Sequence, residues 1–185
     1  MRKVWVSLAV LVAVLASKAS PAQAQTQVQE QMQEQAPKGP TLGGHIGLLF
    51  PLVTTAGGQT TTLSDQLSIG MPMGITLKGT GRTAFDLELV PQINTGAQRQ
   101  TTLTVHPGLL FNVGHNIAVG GRVAFVVNQP TWGFTPLVHY SIPIKHSSLF
   151  KTYFVEADLP VRFNRPAGAP ATNAVTFGMH VGVSF

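Results

Sequence analysis

Four carboxylates stand in two pairs of the form acid-x-acid, Asp86 with Glu88 and Glu156 with Asp158. Residues two apart in an extended strand point to the same face, so each pair would project together. Arg122, Arg162, His139 and His180, with His45 and His106, complete the set of side chains whose types can do chemistry. Three kinds of chemistry are open to them. Carboxylates and guanidiniums hidden from water form an ion-pair network. Carboxylates with imidazoles can hold a divalent metal or pass protons. An acid beside a histidine and a hydroxyl can activate a nucleophile. The first needs only burial in common, which any polar interior imposes, and it is the expected use of Asp86, Glu88, Arg122, His139, Glu156, Asp158, Arg162 and His180.

The elements that must position these residues are read from the apolar pattern around them. From Gly44 onward hydrophobic residues recur with period two between turn residues, and eight strand-like stretches follow: 44–53, 66–78, 83–94, 102–113, 116–127, 131–144, 151–163 and 174–185. Most exceed the 5 to 6 residues usual for soluble strands and match the ~9 to 11 that a tilted membrane strand needs. One parity carries Leu67, Ile69, Met71, Met73, Ile75 and Leu77, then Phe85, Leu87, Leu89 and Ile93, then Val119, Val123 and Phe125, then Tyr153, Val155, Leu159, Val161 and Phe163. The other parity carries the charges, with Gly, Ser and Thr between them. Small and polar residues suit the narrow lumen of an eight-stranded ring, and a bulky continuous apolar face suits lipid. Pairing the later strands through their turns sets His139 beside Glu156, with Glu156 and Asp158 near His180.

Composition agrees. Charged residues make up 10% of the chain, against roughly 25% in soluble domains. Past the N-terminus no apolar run is long enough to cross a membrane as a helix. At the N-terminus, Arg2 and Lys3 precede an apolar run from Val4 to Ala16, and Ala22-Gln23-Ala24 supplies small residues for cleavage, so residues 1–24 read as a secretory signal peptide. No Cys is present for a lipid anchor, disulfide or thiolate metal site. Removing Arg2, Lys3 and Lys18 lowers the net charge from +5 to +2, which undercuts a nucleic-acid reading of the basic pI. Residues 25–40 hold Gln at nearly every second place and little to bury. They read as a disordered periplasmic tail, with a short helix capping the barrel as the alternative.

The aromatics fall at two levels. Phe85, Phe111, Tyr140, Tyr153 and Phe185 lie toward one end of the strands, and Phe50, Phe125, Trp132, Phe134, Phe163 and Phe177 toward the other, as girdles at two interfaces would. The connections at 54–65, 95–100 and 165–172 exceed the turns at 78–82 and 114–116, which orients the longer loops outward. The three-residue loop 128–130 does not fit that rule.

In the last stretch Phe177, Met179, Val181, Val183 and Phe185 alternate with Gly178, His180, Gly182 and Ser184. It resembles the C-terminal strand of small bacterial outer-membrane β-barrels, the OmpX and OmpA membrane-domain class. The resemblance implies a closed antiparallel up-and-down barrel over residues 41–185, location in the outer membrane of a Gram-negative cell, contact with outer-membrane lipid, and recognition of the terminal strand by the barrel-assembly machinery. His146, Ser147, Ser148 and Glu156 also resemble the His, Ser and Glu residues of outer-membrane lipid A deacylases, although the serines fall in a turn on the periplasmic side. Against the barrel stand Pro51, Pro72, Pro91, Pro107, Pro136, Pro143 and Pro160, all inside proposed strands, where a proline donates nothing to the ladder. They mark bulges, a distorted wall, or a soluble periplasmic barrel.

The functional expectation is a structural or surface-interaction barrel with a charge-filled lumen, no catalytic or metal site and no cofactor. A porin-like protein passing small solutes or a hydrophobic ligand is the alternative, and a lipid-modifying enzyme a third.

Overall fold

A computed structural model describes residues 39–95 and 99–185. The expected signal peptide and nearly all of the Gln-rich tail lie outside the described residues. Among the described residues eleven strands form one antiparallel sheet: β1 (Thr41–Ala56), β2 (Gln59–Thr62), β3 (Ser68–Gly70), β4 (Met73–Lys78), β5 (Thr83–Asn94), β6 (Gln100–Gly114), β7 (Ile117–Val126), β8 (Thr131–Pro143), β9 (Thr152–Asp158), β10 (Val161–Asn164) and β11 (Thr172–Ser184). Two wall strands are interrupted: β2, β3 and β4 run in turn down the same side of β1, and β9 continues as β10. The wall thus has eight positions. It closes where β11 pairs with β1 from His45↔Ser184 to Ala56↔Ala174, so the fold is an eight-stranded up-and-down barrel with no free edge around the ring. We call the end holding Ala56 and Asn94 the upper end; Thr41 and Phe185 lie at the lower.

The prolines leave this closure intact. Pairing passes from Gly70↔Gln92 to Met73↔Leu89, the same number of residues on both strands, so Pro72 and Pro91 shift no register. Each keeps its carbonyl in use: Gly47 N–H donates to Pro72 O at 2.9 Å, and Met71 N–H to Pro91 O at 2.8 Å. The second interruption repeats the device, with Leu159 N–H donating to Pro136 O at 3.0 Å and Thr176 N–H to Pro160 O at 2.8 Å. Pro107 lies where the β6–β7 pairing steps from Val105 to Gly108 in register, and Pro143 ends β8. Only Pro51 sits at a bulge, between Pro51↔Gly178 and Val53↔Phe177. The wall loses single donors, and its strands stay paired.

Sequence reading placed a loop over 54–65; the structure folds part of it. Gly57 (φ 57°) and Gly58 (φ 80°) make a two-residue turn, and β2 returns along β1 with Ala56↔Gln59 to Val53↔Thr62. Two consecutive left-handed residues are the requirement of the tight turn whose twist matches the strands, and Gly meets it without strain.

Alternation then sorts the side chains. Ile46, Met73, Ile75, Phe85, Val123, Phe134, Val138, Val155 and Phe177 stand exposed on the outer surface, whereas the buried hydrophobics are Val90, Ala124, Leu137 and Phe154. Buried inside with them are Asp86, Glu88, His106, Arg122, Glu156, Asp158 and His180. The arrangement is the reverse of a soluble barrel, with the apolar face turned out.

Candidate functional site: the lumen

Strand parity delivers the inward residues and register sets their heights. The pairs Asp86↔Gly108, Gly108↔Arg122, Arg122↔Thr135, His139↔Glu156 and Glu156↔His180 run around the ring. Space for the large groups comes from glycines on neighbouring strands: a Cβ at Gly108 would strike Arg122, at Gly47 His180, at Gly74 His45 and at Gly182 Phe154. The small residues of the polar parity are therefore the sockets of the large ones.

Arg122 is the hub. Its Nε donates to Asp86 Oδ2 at 2.8 Å and its Nη1 to Glu156 Oε1 at 2.6 Å, with Glu88 Oε2 at 3.6 Å from Nη2 and Asp158 Oδ1 at 4.0 Å from Nη1. Four carboxylates thus share one guanidinium. The fork geometry of Arg permits this where a Lys ammonium would serve fewer partners. Histidines take further lone pairs. His45 Nε2 lies 3.1 Å from Glu88 Oε2 and His139 Nδ1 3.0 Å from Glu156 Oε2, while His180 Nδ1 stands 3.5 Å from Glu156 Oε1.

Arg162 is placed differently from its partners in the expected network. Among the described residues no carboxylate comes within ion-pair distance of it. It donates to Thr135 Oγ1 at 3.1 Å, to the carbonyl of Phe134 at 3.1 Å and to His106 Nε2 at 2.9 Å. An imidazole nitrogen that accepts from Arg carries no proton, so His106 donates from Nδ1 to Glu88 Oε1 at 3.2 Å. Arg162 reaches the acids through that ring. Two buried polar atoms, Asp158 Oδ1 and His180 Nε2, have no hydrogen-bond partner among the described residues.

Below the charges lies a residue that the sequence reading passed over. Phe154 is 2% exposed and shares its parity with Glu156. His139 stacks on it at 5.0 Å between ring centroids, and His180 and His45 meet it edge-on at 4.8 and 5.9 Å. Its signal was available, an aromatic on the charged parity, flanked by Tyr153 and Val155 on the apolar one.

Above the charges the lumen is open. A cavity of about 380 Å³ has Thr54, Ser68, Gln92, Asn94, Thr102 and Thr104 on its walls and Arg162, Asp158 and Arg122 toward its floor. Its wall groups bond to one another, as in Gln92 Nε2 donating to Ser68 Oγ at 2.8 Å.

Two triads have ligand atoms close enough to hold a metal ion, His45 with Asp86 and Glu88, and Glu88 with Glu156 and His180. Arg122 already donates to Asp86 and Glu156, so an ion in either triad would meet a fixed cation. The acid and hydroxyls of the deacylase resemblance are separated by function: Glu156 is held inside by Arg122 and His139, while Ser147 Oγ accepts from the N–H of Phe150 at 2.9 Å in the exposed β8–β9 turn.

The chain matches no protein-family model and no curated protein. Among solved structures it is similar to the outer membrane protein OprG from Pseudomonas aeruginosa, at 11% identity and a TM-score of 0.41, over 80% of this chain and 96% of that one.

Proposed function

We propose that the protein is an integral β-barrel of the bacterial outer membrane, with its lumen closed by its own side chains and a structural or surface-interaction role. The observation that carries this reading is the coincidence of an outward apolar face with Arg122 clamped between Asp86 and Glu156 above Phe154. An apolar surface of that extent is unfavourable in water and favourable against hydrocarbon, and a closed ladder leaves few backbone groups unpaired there. With the longer loops outward, the upper end faces the exterior and the lower end the periplasm. The alternating outward residues of β11, Phe177, Met179, Val181 and Val183, with Phe185 beyond it, form the edge offered to the barrel-assembly machinery before the ring closes.

Fractionation with a heat-modifiability gel tests the location: the folded band belongs in the outer-membrane fraction, and a soluble periplasmic band defeats the reading. Planar-bilayer recording tests the lumen. Reconstituted protein gives no steady conductance, and a stable unitary step would favour transport. The upper cavity supports that second reading only to its floor, as a chamber that a small polar solute could enter from the loops.

A further inference from the structure

Among the described residues, the Lys, Arg, Asp and Glu side chains outside the lumen are sorted along the barrel axis. At the upper end Asp65 stands with Arg99 and Arg165. At the lower end Lys78, Arg82, Lys145 and Lys151 are all exposed, and every described acid lies elsewhere, four inside the lumen and Asp65 above. None of the four cations has a carboxylate within ion-pair distance among the described residues. Among the described residues their mutual repulsion finds no relief, which calls for counter-charge from beyond them.

Their places around the ring identify that counter-charge. Lys78 ends β4 and Arg82 precedes β5; Lys145 follows β8 and Lys151 precedes β9. Following the wall through β1, β4, β5, β6, β7, β8, β9 and β11, the two pairs sit on nearly opposite arcs. A compact ligand or a single acidic peptide meets one arc. A ring of headgroups meets both. The same end carries the outward Phe85, Phe111, Tyr140, Tyr153 and Phe185, each 44–56% exposed, the residue types that settle at the boundary between hydrocarbon and headgroup. Long basic side chains beside such a belt reach past it to the phosphate level.

We propose that the lower rim is a binding surface for anionic phospholipid headgroups, formed by Lys78, Arg82, Lys145 and Lys151 on two opposed arcs. The proposal rests on the membrane reading above and adds a lipid preference to it. Each rim cation near an anionic surface gains attraction that dies away within a Debye length, so the preference is salt-sensitive.

The full chain, refolded into vesicles of phosphatidylcholine alone or with phosphatidylglycerol at roughly one lipid in three, supplies the test, read as the folded fraction retained under denaturant. The expected result is about tenfold greater folded-to-unfolded ratio with phosphatidylglycerol. The advantage should disappear in high salt and in the variant K78Q/R82Q/K145Q/K151Q, and survive in R99Q/R165Q at the other end. Insertion of the quadruple variant into phosphatidylcholine as readily as the parent shows that it folds. Equal stability of the parent in both lipids, or an undiminished preference in the quadruple variant, overturns the proposal and leaves the membrane reading standing. Failure of the parent to insert into either vesicle overturns both.

Discussion

The two halves of the lumen are walled by the same strands and filled by opposite means. The lower half is packed: Arg122, His45, His180 and Phe154 sit in sockets left by glycines, and four buried carboxylates fill the space between them. The upper half is lined by Thr, Ser, Gln and Asn side chains that bond to their neighbours along the wall and leave about 380 Å³ between them. Side-chain reach explains the difference. A guanidinium spans the lumen and finds a partner on a distant strand, whereas a Thr or Ser is satisfied at its own wall. Closure of a small barrel is thus decided by which residues are long enough to cross it.

Removing the hub should break the contrast most severely. R122A leaves Asp86, Glu88 and Glu156 buried without their cation, and stripping one partner from a buried network costs about 3 to 5 kcal/mol. With three acids orphaned together the upper figure is expected, measured as the fall in denaturation midpoint of vesicle-inserted protein. A change under about 1 kcal/mol would show that water, not Arg122, satisfies these carboxylates. Phe154→Ala attacks the same half without touching a charge. It should cost about 3 kcal/mol, the lower end for a buried aromatic, because the three histidines around it can shift inward. If R122A alone gives a conducting barrel and Phe154→Ala does not, the charged layer is the barrier; the reverse result assigns that role to the ring.

The smallest effect lies outside the wall. Asp65 accepts from Thr62 N–H and Oγ1, both at 2.8 Å, and these bonds hold its carboxyl below the ordinary range. A depressed folded value means that the turn is stabilised at neutral pH and loses that contribution as pH falls through the lowered value. Amide exchange at Thr62 should quicken over that range and in D65N, with the lumen amides unchanged. Acceleration throughout the barrel would mean that upper loops and lumen unfold together.

Strand positions were legible because parity is a local property. Asp86 and Glu88 share a face whatever lies beyond them, and stretches such as 83–94 and 131–144 meet the structure within a residue. The hairpin of β1 and β2 was read as a loop, because Gly57-Gly58 marks a turn but the flanking segment has no hydrophobic alternation to mark strands. Neighbouring-strand pairs such as His139 and Glu156 follow from counting through turns. The contacts across the lumen do not. Arg122 reaches Glu156 past the intervening β8, and Arg162 reaches His106 from another strand altogether, because strand tilt and side-chain length set which groups meet over the axis. The prolines misled for a related reason. A missing donor is visible in sequence, but whether the register survives it depends on the neighbouring strand.

Those prolines bear on the time before the ring exists. The hairpins β4–β5 and β8–β9 each carry a flaw at mid-height, at Pro72 with Pro91 and at Pro136 with Pro160. In the finished wall the flaw costs a donor or two. On a hairpin standing alone, before β1 or β11 has joined it, Pro72 or Pro160 leaves a gap in the outward row of N–H groups, so a strand adding at that edge meets a broken template. Pro91 and Pro136, by contrast, face their own hairpin partner and leave that edge unchanged.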